Sequence, residues 1–144
     1  MTPTCIPSKR VALVTGASSG IGTAIAEQLV DSGYRVVCTA RRMDKLELLC
    51  DKLGQSAMAL ELDVTQTKSV DTLVERLPPG WTDIDVLVNN AGHDIGGRRL
   101  FHEGSADQWA SIIETNVTGV IRVTRAIIPT MLDRDRGHIV NIGS

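Results

Sequence analysis

Three glycines and two serines stand in the stretch Thr15-Gly16-Ala17-Ser18-Ser19-Gly20-Ile21-Gly22. An apolar run, Val11 to Val14, leads into it. A helical repeat of Ile21, Ile25 and Leu29 leads out. Residues of these types at this spacing can hold an anion. The first turn of a helix presents unpaired N–H groups, and its dipole favours negative charge there. Glycines let the backbone approach a pyrophosphate with no Cβ in the way. The spacing is G-x-x-x-G-x-G. It is neither the G-x-G-x-x-G of the usual dinucleotide fingerprint nor a G-x-x-x-x-G-K-[ST] phosphate loop, because Ile21 falls where the second glycine of that loop belongs. The candidate contacts are Gly16, Ser18, Ser19, Gly20, Ile21 and Gly22. A glycine-rich turn with no ligand is the competing reading.

The surrounding pattern must position that turn. A continuous apolar run predicts a strand buried on both faces at Lys9 to Thr15, and further strands are expected at Arg35 to Thr39, Ala57 to Leu62, Ile84 to Val88 and His138 to Ile142. Helical spacing predicts Gly20 to about Ser32, closed by Gly33, and Met43 to Leu53, closed by Gly54. A third helix is expected from Thr65 or Gln66 through Val70, Leu73, Val74 and Leu77, broken by Pro78-Pro79-Gly80. Asn89 to Gly104 reads as loop. Ser105 reads as the N-cap of one long helix, or two collinear ones, reaching about Leu132. Asp133 to Gly137 reads as a charged turn. Residues 1–8 read as a short disordered lead, and 9–144 as one α/β domain. The expected architecture is a Rossmann-like, doubly wound parallel sheet of five strands with helices on both faces. Such sheets bind ligands at the carboxyl ends of their strands. The polar stretches that end there are Thr15–Gly22, Ala40–Arg42, Asp63, Asn89–Gly92 and Gly143–Ser144.

Charge then chooses between cofactors. A site for NAD places an Asp or Glu about twenty residues past the glycines, on the ribose 2′-OH. Here the second strand runs out in Thr39-Ala40-Arg41-Arg42, with no acid. A guanidinium fork suits a 2′-phosphate. NADP (NADPH) is therefore expected over NAD, with Arg41 and Arg42 as its contacts. Two solvated arginines are the competing reading, although cations at a helix start oppose its dipole.

Composition excludes other classes. Fifteen Lys and Arg against 17 Asp and Glu leave a net charge of −2, which makes no electrostatic case for nucleic acid or an acidic membrane. No apolar run reaches the length of a bilayer span. Met1 to Pro7 lacks the charged start and apolar core of a secretion signal. Cys5, Cys38 and Cys50 are odd in number and lack C-x-x-C spacing, which argues against a disulfide framework or a zinc site. A cytoplasmic location without metal is expected. Cys38 and Cys50 read as core residues.

Taken together, Thr15–Gly22, Asp63-Val64, Asn89-Asn90-Ala91-Gly92, Asn116 and Ile139-Val140-Asn141-Ile142-Gly143-Ser144 resemble the short-chain dehydrogenases/reductases. The likeness covers essentially everything after residue 8. Trp81-Thr82-Asp83-Ile84-Asp85 and Gly137 to Ser144 look most like the NADP-dependent 3-hydroxy acid (serine/allo-threonine) dehydrogenases. The resemblance implies that Asp63 accepts a hydrogen bond from the adenine amino group, with main-chain support from Val64. Capping of the helix at residue 66 is a second reading of Asp63. It implies that Asn90, Ala91 and Gly92 close over the adenine ribose side and hold the central strand. Asn116 would hold a water in a proton relay; a buried core amide bonded to backbone is its alternative. Ser144 would donate to the substrate carbonyl oxygen. His93 and the Arg98-Arg99 pair follow the Asn-Asn-Ala-Gly turn and are further candidates to line a pocket, with solvation as the plainer reading.

One departure stands out. The family's acid/base is a tyrosine in a Tyr-x-x-x-Lys helix about thirteen residues beyond the serine, its pKa lowered from about 10 by the lysine. The only tyrosine here is Tyr34, followed four positions on by Cys38. The chain is therefore expected to be the cofactor-binding portion of an NADP-dependent oxidoreductase acting on a small secondary alcohol or its ketone. It is expected to be inactive alone and homo-oligomeric when full length. The alternative is a module that binds NADP without catalysis.

Overall fold

A computed structural model of the protein describes residues 9–143. The expected lead at 1–8 and the candidate Ser144 lie outside the described residues. Five parallel strands, β1 (Val11–Thr15), β2 (Arg35–Ala40), β3 (Ala57–Glu61), β4 (Ile84–Asn89) and β5 (His138–Asn141), pair in the order β3-β2-β1-β4-β5. The chain leaves β1 toward one edge and later returns to its other side at β4. The switch point therefore falls between β1 and β4, and a crevice opens beyond their carboxyl ends.

Every residue of β1 is buried, because helices cover both faces of the sheet. Alternate residues feed two cores. Leu13, Val37 and Leu87 pack on one face with Val70, Leu73, Val123 and Ile127. Val14, Val36, Cys38 and Val88 pack on the other with Ala26, Leu46 and Leu49. The helices of that second face are α1 (Gly20–Asp31) and α2 (Met43–Leu53), tied by Lys52 and Glu27 at 2.7 Å. Cys38 and Cys50 are free thiols in this core. A hydrogen bond with Cys50, together with burial, pushes the Cys38 thiol far above its usual range.

The third helix departs from expectation. Only α3 (Thr67–Asp71) is helical, after which the backbone continues in turns. The Thr72 hydroxyl bonds back to the Lys68 carbonyl at 3.1 Å, and Arg76 donates to the Ser69 and Glu61 carbonyls at 2.9 and 2.8 Å. The Ser69 carbonyl that Arg76 takes is one a longer helix would pair, and the Glu61 bond ties the same side chain to the end of β3. Leu73 and Leu77 still reach the core.

The long helix is α4 (Ala106–Ile113), a π-helical turn Glu114–Thr118, and α5 (Gly119–Leu132). Ser105 caps α4 as expected. Its hydroxyl accepts from the Gln108 N–H at 3.2 Å, while the Gln108 side chain accepts from the Ser105 N–H at 2.9 Å.

Beneath the sheet, at the opposite end from the crevice, Asp85 is buried in a charged knot. It accepts from the Val11 N–H at 2.9 Å, from Arg134 at 2.8 Å and from Arg136 at 2.9 Å. Burial alone would raise its pKa, but the Val11 bond and the two arginines outweigh that and hold the carboxyl below its usual range.

Candidate functional site

The carboxyl ends of β1 to β4 open into one groove of about 410 Å³. Gly16, Ser18, Ser19, Gly20 and Ile21 line it from the loop after β1. Arg41 and Arg42 follow β2, Asp63 and Val64 follow β3, and Asn90, Ala91 and Gly92 follow β4. Four separate loops thus bring nearly all the candidate residues to one rim.

The glycine turn is braced from below. Ala17 N–H donates to the Thr39 carbonyl at 3.0 Å, and the Thr23 hydroxyl to the Ala17 carbonyl at 2.8 Å. Gly16 has φ +65, and a Cβ there would sit 2.8 Å from Ala91 Cα. Gly22 does not line the groove. A Cβ on it would run into the Gly16 carbonyl oxygen and lie 2.6 Å from Asn90 Nδ2. Its bareness lets α1 close on the loop after β4. Gly20, by contrast, faces open space. Ser19 stands at the N-cap of α1 but makes no side-chain cap, and no acid occupies the first turn. The N–H groups of that turn therefore keep their capacity for an external anion. Ile21 is 63% exposed beside them, an apolar side chain on the wall of the groove.

Thr15 locks the switch point, and sequence reasoning passed over it. Its hydroxyl accepts from the Asn90 and Ala91 N–H groups at 3.0 and 2.9 Å. Asn90 Nδ2 returns bonds to the Thr15 and Gly16 carbonyls, both at 3.2 Å. The available signal was a hydroxyl ending an otherwise apolar strand buried on both faces, which must find partners. Asn89 holds the next pair of elements, donating to Asn141 of β5 at 2.8 Å and to Thr124 of α5 at 3.0 Å.

Arg41 and Arg42 are exposed at the end of β2, and neither takes part in an ion pair among the described residues. Asp63 is half-buried. Its Oδ1 accepts from the Thr65 N–H at 3.0 Å and the Thr65 hydroxyl at 2.7 Å. That is an Asx-type turn rather than a helix cap: α3 starts at Thr67, with Gln66 as its N-cap. The capping reading of Asp63 is corrected accordingly.

Asn116 is exposed, not buried, and sits in the π-helical turn. It grips the backbone of His93 at both ends. Oδ1 accepts from the His93 N–H at 2.8 Å, and Nδ2 donates to the His93 carbonyl at 3.0 Å. The backbone-bonded part of that alternative holds, and the buried part does not. His93 lines the groove, its Nε2 3.0 Å from Ser111 Oγ. Ser111 donates its own proton to the Gln108 carbonyl at 2.7 Å, so Nε2 is the donor to Ser111 and carries the hydrogen. Thr115 and Thr65 also line the groove and carried no sequence signal. Arg98 and Arg99 are exposed and outside it.

Tyr34 lies elsewhere. It lines a second cavity at the other end of the sheet, with Arg10, Asp85 and Arg136. Among the described residues no group of His, Cys, Asp and Glu is placed to hold a metal, and no helix is long and apolar enough to cross a membrane.

The family model for short chain dehydrogenase matches residues 10–144. The chain is 44% identical over 134 residues to the NADP-dependent 3-hydroxy acid dehydrogenase YdfG of Salmonella typhi, covering 93% of this chain and 54% of the relative. The protein of the same name from Escherichia coli K12 is 40% identical over the same shares. Among solved structures, the closed form of a serine dehydrogenase complexed with NADP+ superposes with a TM-score of 0.88 at 40% identity, covering 93% of this chain and 54% of that one. The chain spans about half the length of the relatives it matches.

Proposed function

Since the chain belongs to the short-chain dehydrogenase family, we propose that residues 9–144 form the nucleotide-binding part of an NADP-dependent oxidoreductase. Its reaction interconverts a small secondary alcohol, of the 3-hydroxy acid class, and the corresponding ketone. One observation carries the reading. A single groove brings together an uncapped helix N-terminus, two arginines with no ion-pair partner among the described residues, and a half-buried carboxylate. The names of the relatives, NADP-dependent and acting on 3-hydroxy acids or serine, support the substrate class.

The groove fits the phosphorylated nucleotide. Gly20 leaves open space where a Cβ would stand, the first turn of α1 offers N–H groups to a pyrophosphate, and among the described residues no carboxylate pairs with Arg41 or Arg42. In this reading Gly16, Ser18, Ser19, Gly20 and Ile21 hold the pyrophosphate side, and Gly22 keeps the turn closed. Arg41 and Arg42 hold the 2′-phosphate, and no acid is present to favour NAD. Asp63 accepts from the adenine amino group, using the oxygen that Thr65 leaves open, and Val64 flanks it. Asn90, Ala91 and Gly92 cover the ribose side. The bound cofactor supplies or accepts hydride at its nicotinamide ring.

The remaining residues act around that exchange. Asn116 spends one donor and one acceptor on His93, so a second of each stays available to a relay water. Ser144 donates to the substrate oxygen. The 144 residues contain no Tyr-x-x-x-Lys, so in this reading the chain alone binds nucleotide without turnover. That same feature favours the second reading, an NADP-binding module with no catalytic role. The exposed row Ile113, Val117 and Ile121, at 56%, 48% and 63%, suits burial in a homo-oligomer. Free thiols at Cys38 and Cys50 fit the cytoplasm.

The test is a titration of the chain with NADPH and NADH, followed by nicotinamide fluorescence. A ketone panel is then assayed on the chain and on the polypeptide purified from its source. Tight NADPH binding by the chain, with ketone reduction only by the natural polypeptide, is the expected result. Binding without reduction in both favours the module. Steady turnover by the 144 residues contradicts the division of labour, and absence of NADPH binding contradicts the whole reading.

A further inference from the structure

We propose that Arg122 is a positioning residue for the groove, holding the adenine wall at Val64 in register with the Asn116–His93 clamp at the far end. The inference rests on the nucleotide-binding reading above and adds a residue that does not line the groove. Arg122 is half-buried in the first turns of α5. Its Nη1 pairs with Glu114 Oε1 at 2.5 Å and reaches the Val64 carbonyl at 3.5 Å.

Glu114 opens the π-helical turn that carries Asn116, and Arg122 stands beyond its close. The ion pair therefore spans the wide turn and fixes its pitch. From that turn Asn116 grips His93. The same guanidinium nitrogen thus touches the element that shapes one end of the groove and the residue that walls the other.

Helix packing adds a second link between the same elements. Gly119 sits against Val64: a Cβ there would lie 2.7 Å from Val64 Cγ2 and 3.4 Å from the Val64 carbonyl oxygen. The bare glycine lets α5 come close enough for Arg122 to reach that carbonyl. Val64 itself is 7% exposed, so it has little room to move independently of the helix. Any shift of α5 along its axis therefore moves both ends of the groove together.

The experiment uses the whole chain and two ligands, NADPH and adenosine 2′,5′-bisphosphate, which carries only the adenine end. Arg122→Ala weakens NADPH about tenfold, the worth of a charge-assisted hydrogen bond, and weakens the bisphosphate, which does not reach the His93 end, by less. Glu114→Gln keeps the Val64 contact and loses the ion pair, and weakens NADPH by about threefold, as for a partly exposed pair, with the bisphosphate moving less. Arg122→Lys keeps a cation and regains part of the loss. Arg125→Ala removes an exposed charge from the same helix and changes neither affinity. Melting curves on each variant separate local loosening from unfolding.

NADPH affinity of Arg122→Ala within twofold of the parent overturns the inference while leaving the nucleotide reading intact. So does an equal loss in Arg125→Ala. A parent chain that binds neither ligand overturns both. If Arg122→Ala fails to fold, the Glu114→Gln and Arg122→Lys pair decides by the same criteria.

Discussion

Neutralising the arginines after β2 isolates the cofactor preference. Arg41 and Arg42 line the groove, are exposed, and have no ion-pair partner among the described residues. Their removal therefore breaks nothing in the fold, and any loss reports on the ligand. A guanidinium–phosphate contact is worth about 1.5–3 kcal/mol in a protected site. Exposure and salt reduce that to about 1 kcal/mol per arginine. Arg41→Ala or Arg42→Ala should then weaken NADPH about fivefold, and the double variant about 25-fold. NADH, which lacks the 2′-phosphate, should move by less than twofold. Fluorescence titration of both nucleotides at low and at 0.5 M salt reads the difference, and about 0.5 M salt should narrow the NADPH advantage of the parent chain. Equal losses for NADPH and NADH would mean that the arginines shape the groove rather than read the phosphate, and the argument from charge would be refuted.

Three further outcomes follow from particular contacts. Thr15→Val keeps shape but orphans the Asn90 and Ala91 N–H groups. It should cost about 2–3 kcal/mol in urea unfolding and loosen nucleotide binding. Gly22→Ala should destabilise by more than about 2 kcal/mol, because its Cβ collides with the Gly16 carbonyl; Gly20→Ala, strained only by its φ of +55, should cost about 1 kcal/mol in the same assay. Asp85 binds its proton less readily folded than unfolded, so its contribution to stability is complete above the ordinary carboxylate pKa of about 4 and fades as pH falls through the lower folded value. Urea midpoints between about pH 6 and pH 3 should fall more steeply for the parent than for Asp85→Asn, and parallel slopes would show that the knot with Arg134 and Arg136 does not couple to protons.

Much of this molecule is legible in its residues, and the reason is burial. Strands covered on both faces are rich in apolar residues, so β2 and β4 stand out within a residue of their bounds and β1 within two. Gly33 and Gly54, both at positive φ, stop α1 and α2 where glycines should. The loops that line the groove were found because polar residues cluster where those runs end. The misses have physical causes as well. Past α3 the Arg76 side chain takes the Ser69 carbonyl that a longer helix would pair, a competition that apolar spacing does not register. The π-helical turn leaves the apolar spacing almost unchanged, so nothing marks it, and Asn116 looks like a core amide when it stands at the rim. Thr15 stays silent because a lone hydroxyl at the end of an apolar run suggests tolerance rather than work. The packing demand on Gly22, where a Cβ would meet the Gly16 carbonyl and Asn90, is likewise invisible in the spacing of the turn.

The central claim is that one groove at the carboxyl ends of these strands holds a phosphorylated nicotinamide nucleotide. Its most direct measurement is a crystal structure of the chain grown with NADP+. The account predicts the pyrophosphate at the N-terminus of α1, the 2′-phosphate beside Arg41 and Arg42, and the adenine against Asp63 and Val64. Nucleotide density in the second cavity by Arg10 and Tyr34, or an empty groove at saturating NADP+, would contradict it.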